Sequence, residues 1–273
     1  MDTAAKKSTE QDNPQYSYFG LQSGWGVTKH FGGLRVTQEL AEICHIQPSS
    51  YVLEVGCGVG LTSCFLAQKI GCRVMGIDLF SEMVEWAGKR AARKGVQGLC
   101  QFRVADAQDL PFEDATFDVM LCESVTAFVP DKAQALSEYR RVVKPGGYVG
   151  LNEGTWVKSN PPQEFLKFVR HTMNDVHFLD DQAWRALLVE AGLQDIFAQA
   201  YPLSMMQQRR DETQGLDAED WRHRISSFGQ FMSQYLTDSD FRRYAKTLIP
   251  SRRVISDLFH YLGYGVYVGK VPY

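Results

Sequence analysis

The sequence predicts an α/β protein, an open and mostly parallel sheet with helices packed on it. Three observations carry this. Val52, Leu53 and Val55 form a short apolar run with β-branched residues. Gly56, Gly58 and Gly60 follow at once, and Leu61, Cys64, Phe65 and Gln68 then recur at helical spacing. That order reads as strand, glycine-rich turn, helix. Further apolar runs at residues 72–77, 99–104, 117–122 and 148–152 alternate with helical patterns, the signature of β-α units.

The elements follow in order. Leu34, Thr37, Leu40, Ala41 and Cys44 repeat at helical spacing before Pro48 separates that helix from the first strand. After the second strand, Ser81 caps a helix through Met83, Val84, Ala87 and Ala91 that stops at Gly95. Asp131, with Gln134 three positions on, opens a helix with Ala135, Leu136, Tyr139 and Val142 inward. Lys144-Pro-Gly-Gly147 turns the chain into the fifth strand. Glu153 ends that strand and Trp156 follows in a loop, both within reach of a substrate pocket. Phe165, Phe168, Val169 and Thr172 mark a short helix. Asp180 or Asp181 caps another, with Trp184, Leu187, Leu188 and Ala191 inward, and residues 194–201 give a sixth strand.

A long insertion then precedes the last strand, Tyr264–Val268. Trp221, Ile225, Phe228, Met232 and Tyr235 fall on one helical face, and Phe241, Tyr244, Ala245 and Leu248 on another that Pro250 ends. Such a stripe packs as core, covers an apolar substrate as a lid, or forms a homodimer surface. The domain boundaries expected are a disordered tail at 1–15, an N-terminal cap at 16–47, a ligand-binding core at 48–202, a helical lid at 203–259 and the final core strand at 260–273.

The glycines let the backbone turn sharply and let a ligand reach the main chain. The helix that follows points free N–H groups at whatever binds. Glu54, just before the glycines, can take a cationic group and would repel a pyrophosphate. Asp78, after the second strand, stands where an acid accepts both hydroxyls of a ribose. These points favour a ligand carrying an ammonium and a sulfonium. A NAD-dependent oxidoreductase shares part of this pattern and stands as an alternative.

Glu54-Val-Gly-Cys-Gly-Val-Gly60, Asp78, Ala105-Asp106-Ala107 with Leu110-Pro111-Phe112, and Val143-Lys-Pro-Gly-Gly-Tyr148 resemble the successive motifs of class I S-adenosylmethionine-dependent methyltransferases, in particular the small-molecule, UbiE-like branch. The resemblance spans about residues 30 to 155. It implies a Rossmann-like seven-stranded sheet with the last strand antiparallel beside the fifth and helices on both faces. It implies S-adenosyl-L-methionine as cofactor and S-adenosyl-L-homocysteine as product. Gly56, Cys57 and Gly58 would cradle the cofactor, Leu79 and Met83 would line the adenine, and Asp106 and the Ala107 N–H would bond its edge. For Met83 the plain alternative is core filling, and for Asp106 a turn cap. Tyr16, Tyr18 and His30, before the first strand, would face the active site or else only pack the cap, with Tyr18 assigned to the cofactor.

Methyl transfer from a sulfonium is an in-line displacement, so the protein mainly aligns the acceptor and excludes water. An O, N or C acceptor that must lose a proton also needs a base. His30, Glu123, Glu153 and His171 are the candidates, with Glu123 and His30 placed in the catalytic set. Glu123 closes the fourth strand, where an open parallel sheet binds ligands. It orients the acceptor, holds a cation, acts as base, or is a turn residue facing water.

The net charge of −3 gives no basic field for nucleic acid. The arginine pairs at 209–210, 242–243 and 252–253 are scattered and diluted by acids. No apolar run reaches the ~18 residues of a membrane span. The six cysteines lack metal or disulfide spacing, so a cytoplasmic protein with reduced thiols and no metal is expected. The expected partner is a small-molecule methyl acceptor, with a homodimer allowed. A non-catalytic S-adenosylmethionine-binding or interaction protein is the alternative from a different class.

Overall fold

The computed structural model describes residues 30–173, 176–206 and 215–273. Helix α1 (Gly33–Ile43) leads into β1 (Tyr51–Val55), α2 (Leu61–Lys69), β2 (Arg73–Asp78), α3 (Ser81–Lys94) and β3 (Cys100–Val104). Then come β4 (Phe117–Glu123), a 3-10 turn (Thr126–Phe128), α4 (Lys132–Val142) and β5 (Val143–Trp156). The second half holds α5 (Gln163–Thr172), β6 (Leu179–Asp180), α6 (Asp181–Glu190) and β7 (Gln194–Pro202). It closes with α7 (Ala218–Thr237), α8 (Ser239–Thr247), α9 (Arg252–Tyr261) and β8 (Leu262–Lys270).

The sheet runs β3-β2-β1-β4-β5-β8-β7, with the two-residue β6 off this path against β5. Strands β1 to β5 are parallel. β8 lies antiparallel between β5 and β7, beside the fifth strand as expected. The chain steps outward from β1 through β2 to β3, then returns to the other side of β1 with β4. The direction of winding reverses there, and this opens a crevice beyond the ends of β1 and β4.

The core follows from strands buried on both faces. Val52, Leu53, Val119, Met120, Leu121, Val149 and Leu151 are all buried. Helices α1, α2 and α3 pack on one another in sequence, while α4 packs on α6. Asp131 caps α4 by accepting from the Gln134 N–H at 2.9 Å, and Asp180, of the two aspartates proposed, caps α6 through Ala183 at 2.8 Å. Gly95 ends α3 in the left-handed region (φ 70°).

Several expectations change. The described part of the N-terminal cap is a core helix: Val36, Leu40 and Cys44 are buried, and Leu40 and Cys44 sit against Gly150 of the central β5. Phe80, not Ser81, occupies the N-cap of α3 and makes no side-chain cap; the Ser81 hydroxyl turns to Glu82. The fifth strand runs on through Trp156, because β8 pairs with it as far as Leu262, so Glu153 and Trp156 are strand residues. The inward side of α2 is Thr62, Ser63, Cys64, Leu66 and Ala67, so of the expected positions Cys64 is buried and Leu61 and Phe65 are not.

The largest change is in the insertion. Of the three readings of the stripe, core packing does not hold, since Trp221 is 46%, Ile225 70% and Phe228 66% exposed. Asp220 and Ser227 are the buried positions of α7, and Phe231 meets the buried Phe241 of α8 edge-on. A third helix, α9, follows Pro250, capped by Ser251.

Candidate functional site

The crevice holds a cavity of about 500 Å³, a usual size for a small-molecule site. Its floor is the strand ends and the glycine loop. Gly56, Gly58 and Gly60 all lie at positive φ (73°, 50° and 76°). At Gly56 a Cβ would stand 2.2 Å from a Val125 methyl, so the loop runs where a side chain cannot. The loop is pinned from β2: the Gly56 and Cys57 N–H groups donate to the Ile77 carbonyl at 2.8 Å, and the Gly58 N–H donates to Asp78 Oδ2 at 2.9 Å. Asp78 Oδ1 accepts from the Phe80 N–H at 3.1 Å. Burial raises the Asp78 carboxyl against the lowering pull of these N–H groups.

Nearly all the cofactor residues expected from the sequence line this cavity. Glu54, Gly56, Cys57, Gly58 and Asp78 come from the β1 and β2 ends. Leu79 and Met83 come from the start of α3, and Asp106 and Ala107 from the turn after β3. Leu79 is 61% exposed, an apolar side chain that a flat ring would cover, whereas Met83 is buried. Asp106 Oδ1 accepts from the Gln108 N–H at 2.8 Å, so it caps its turn while it lines the cavity. Leu110 and Phe112 serve the frame. The Leu110 N–H donates to Glu138 at 2.8 Å, and Arg141 donates to the Leu110 and Phe112 carbonyls.

Glu54 is buried and accepts the Ser63 hydroxyl. Burial pushes its carboxyl well above the ordinary range, with the Ser63 bond pulling the other way. The cavity wall therefore carries four carboxyl groups, Glu54, Asp78, Asp106 and Glu123, and no Lys or Arg among the described lining residues. Acceptor oxygens with no competing Lys or Arg suit a sulfonium with an ammonium group, and Leu79 and Met83 suit its adenine. The residues present fit S-adenosylmethionine.

Glu123 is not a turn residue facing water. It is buried, and its Oε1 accepts from Thr37 and Thr62 at 2.9 Å each. Its Oε2 accepts from Asn152 Nδ2 at 3.2 Å and lies 3.3 Å from His30 Nδ1. Both ring nitrogens of His30 are buried with no aligned hydrogen bond. The next residue holds the entrance in place: Asn152 Nδ2 donates to the Phe31 carbonyl at 2.6 Å, and the Phe31 N–H donates to Ser124 Oγ at 3.2 Å. Ser124 itself sits at φ 62°, a strained setting for a non-glycine residue and common at functional sites.

Tyr16 and Tyr18 lie outside the described residues. Glu153 and Trp156 do not line the cavity. Glu153 is fully buried, and its carboxylate accepts the N–H groups of Val125, Thr126 and Ala127, so it caps the 3-10 turn. Burial raises it to about 7 in spite of those bonds. Trp156 packs edge-on against Phe165 and Phe178. His171 is exposed on α5, 2.8 Å from Thr247 Oγ1, and does not line the cavity. The residues that hold Glu123, namely Thr37, Thr62 and Asn152, come from α1, α2 and β5. Each carries an ordinary polar side chain on an apolar element, the one signal that could have marked it. Ser124, Val125 and Phe128, which wall the far end, carry no comparable signal.

Residues 53–151 match the family model described as a methyltransferase domain. Phosphoethanolamine N-methyltransferase 1 of Arabidopsis thaliana is 30% identical over 213 residues, which cover 76% of this chain and 42% of that protein. The chain thus spans less than half the length of the curated relatives it matches first. Among solved structures, phosphoethanolamine N-methyltransferase 2 of Haemonchus contortus in complex with S-adenosyl-L-methionine superposes with a TM-score of 0.69 at 18% identity, over 96% of this chain and 59% of that one. The [4+2]-cyclase SpnF superposes with a TM-score of 0.71 at 17% identity, over 94% and 93%. The ordered motifs lie inside the matched domain, and those of the glycine loop, Asp78 and Ala105–Ala107 meet in one acid-lined cavity. Residues 53–151 are a methyltransferase domain, and the similarities support a class I S-adenosylmethionine-dependent methyltransferase.

Proposed function

We propose that this protein moves the methyl group of S-adenosylmethionine to a small molecule that enters beside His30, and that His30 Nε2 takes the acceptor's proton. The observation that carries this is the buried, unpartnered Nε2 of a histidine that lines the same cavity as Asp78. A carboxylate accepts only, so the Glu123 oxygen 3.3 Å away favours the proton on Nδ1 and leaves the Nε2 lone pair free. A base orients itself this way before it tightens on a substrate.

When bound, the cofactor supplies an activated methyl. The chain does the rest. Asp78 and the glycine loop hold the nucleoside, and Glu123 stabilises His30 as it gains a proton. Val125, Phe128, Val129 and Pro130 keep water from the acceptor end. That apolar wall favours an acceptor with an apolar body. With no Lys or Arg among the described lining residues, a phosphate such as that of phosphoethanolamine finds no counter-charge there.

One structural neighbour is named a cyclase, so the fold alone does not carry the reaction. The test is incubation with methyl-labelled S-adenosylmethionine and a small-metabolite extract, followed by partition between water and organic solvent. Label in the organic phase supports an apolar acceptor, and label in a new aqueous product supports a polar one. Tight binding of S-adenosylhomocysteine with no transfer to any fraction favours a non-catalytic binder.

A further inference from the structure

The helical insertion is fastened to the core by a buried ion pair. Arg90 of α3 and Asp220 in the first turn of α7 are both buried. Arg90 Nη2 lies 2.7 Å from Asp220 Oδ1 and Nη1 lies 2.8 Å from Oδ2, a bidentate fork. The third donor of the same guanidinium, Nε, reaches the Val59 carbonyl at 2.8 Å. Val59 is the residue between Gly58 and Gly60 of the cofactor loop.

The insertion side is equally fixed. Asp220 Oδ2 accepts the Asp217 N–H at 3.0 Å and Asp217 accepts from Asp220 in return, a capping box that starts α7. Lys94 lies 2.9 Å from Asp217, and Arg93 lies 3.4 Å from Asp220. The first turn of α7 thus rests on three cations of α3. Neither Arg90 nor Asp220 lines the cofactor cavity.

A buried ion pair is a weak source of net stability, because desolvating both charges offsets their attraction. Its use is registration. One guanidinium holds both Asp220 and Val59, and a loop of three glycines has little stiffness of its own. Asp78 fixes that loop on one side through the Gly58 N–H, and Arg90 fixes it on the other through the Val59 carbonyl.

We propose that Arg90 and Asp220 are positioning residues that couple docking of the helical insertion to the shape of the cofactor loop, so that the two order together. Whatever steadies the loop then steadies α7, and the reverse holds by linkage. The coupling rests on the assignment of the cavity as the cofactor site.

The test is amide hydrogen exchange of the free full-length chain as wild type, D220N and R90K, with S-adenosylhomocysteine affinity by calorimetry. D220N is expected to speed exchange about tenfold both in α7 and at residues 56–60, and to weaken S-adenosylhomocysteine binding about tenfold. R90K keeps a charge for Asp220 but loses the bond to Val59, so it should loosen the loop more than α7. Exchange in β4 serves as the internal reference and should stay slow. Faster exchange in α7 with an unchanged loop and unchanged affinity would overturn the proposal and leave a local anchor. Equal loosening of β4 in both variants would also overturn it. If the wild type binds no S-adenosylhomocysteine, the cavity assignment fails instead, and loop exchange in the free protein still decides the coupling.

Discussion

Glu123 Oε2 lies 3.3 Å from His30 Nδ1, at the end of a chain of contacts that begins with the hydroxyls of Thr37 and Thr62. A residue before the first helix and one at the end of the fourth strand thus become neighbours inside the cavity. Replacing His30 with Ala should lower turnover by a factor of about 10² or more while S-adenosylhomocysteine binding changes little. E123Q removes the charge behind the imidazole and should lower turnover about tenfold, chiefly in kcat. Steady-state kinetics with calorimetry check both. A change confined to KM would show that the pair only shapes the entrance.

Asp78 anchors the loop and faces the cavity at once. D78A should weaken S-adenosylhomocysteine binding by about tenfold to a hundredfold, the range for losing hydrogen bonds to a charged group. D78N, which keeps the shape, should fall between. Unchanged affinity for D78A by calorimetry would remove Asp78 from the cofactor site.

Glu153 ties stability to pH. Burial raises its carboxyl in the folded protein to about 7 from an ordinary 4.5. The folded state therefore holds a proton that the unfolded state releases between these values, so stability falls as pH rises. The contribution is complete below about pH 4.5 and lost as pH passes 7, a change of at most about 3 kcal/mol. E153Q should flatten this slope. It should also cost about 1–3 kcal/mol at low pH, because an amide cannot accept all three N–H groups of the 3-10 turn. Urea denaturation across pH 5 to 8 measures both.

Two phenylalanines of the insertion should behave differently. Phe228 is 66% exposed and Phe241 fully buried. F228A should change stability by less than about 0.5 kcal/mol, whereas F241A should cost about 3–5 kcal/mol. Thermal unfolding of the two variants compares them directly.

That Gly56, Gly58, Asp78, Met83 and Asp106 border one cavity was legible because each stands within a few residues of a strand end, where local sequence dictates backbone shape. The same locality exposed Asp131 and Gly95 as helix ends. Glu153 was misread for lack of that locality. Its strand continues only because β8, more than a hundred residues later, pairs with it. The core reading of the insertion's stripe failed for a different reason. A helical pattern reports that one face is apolar, not what lies against it, and α7 instead turns Asp220 and Ser227 inward.

Local chemistry written along the chain was enough to reveal the alternation of strands and helices, the cofactor motifs and their order, since propensity, capping and glycine freedom act over a few residues. Folding in space was needed to bring His30 to Glu123, to surround Glu123 with Thr37, Thr62 and Asn152, and to join Arg90 to Asp220. Those contacts span 29 to 130 residues of sequence, and a pairing at that distance depends on sheet order and helix packing rather than on any local pattern.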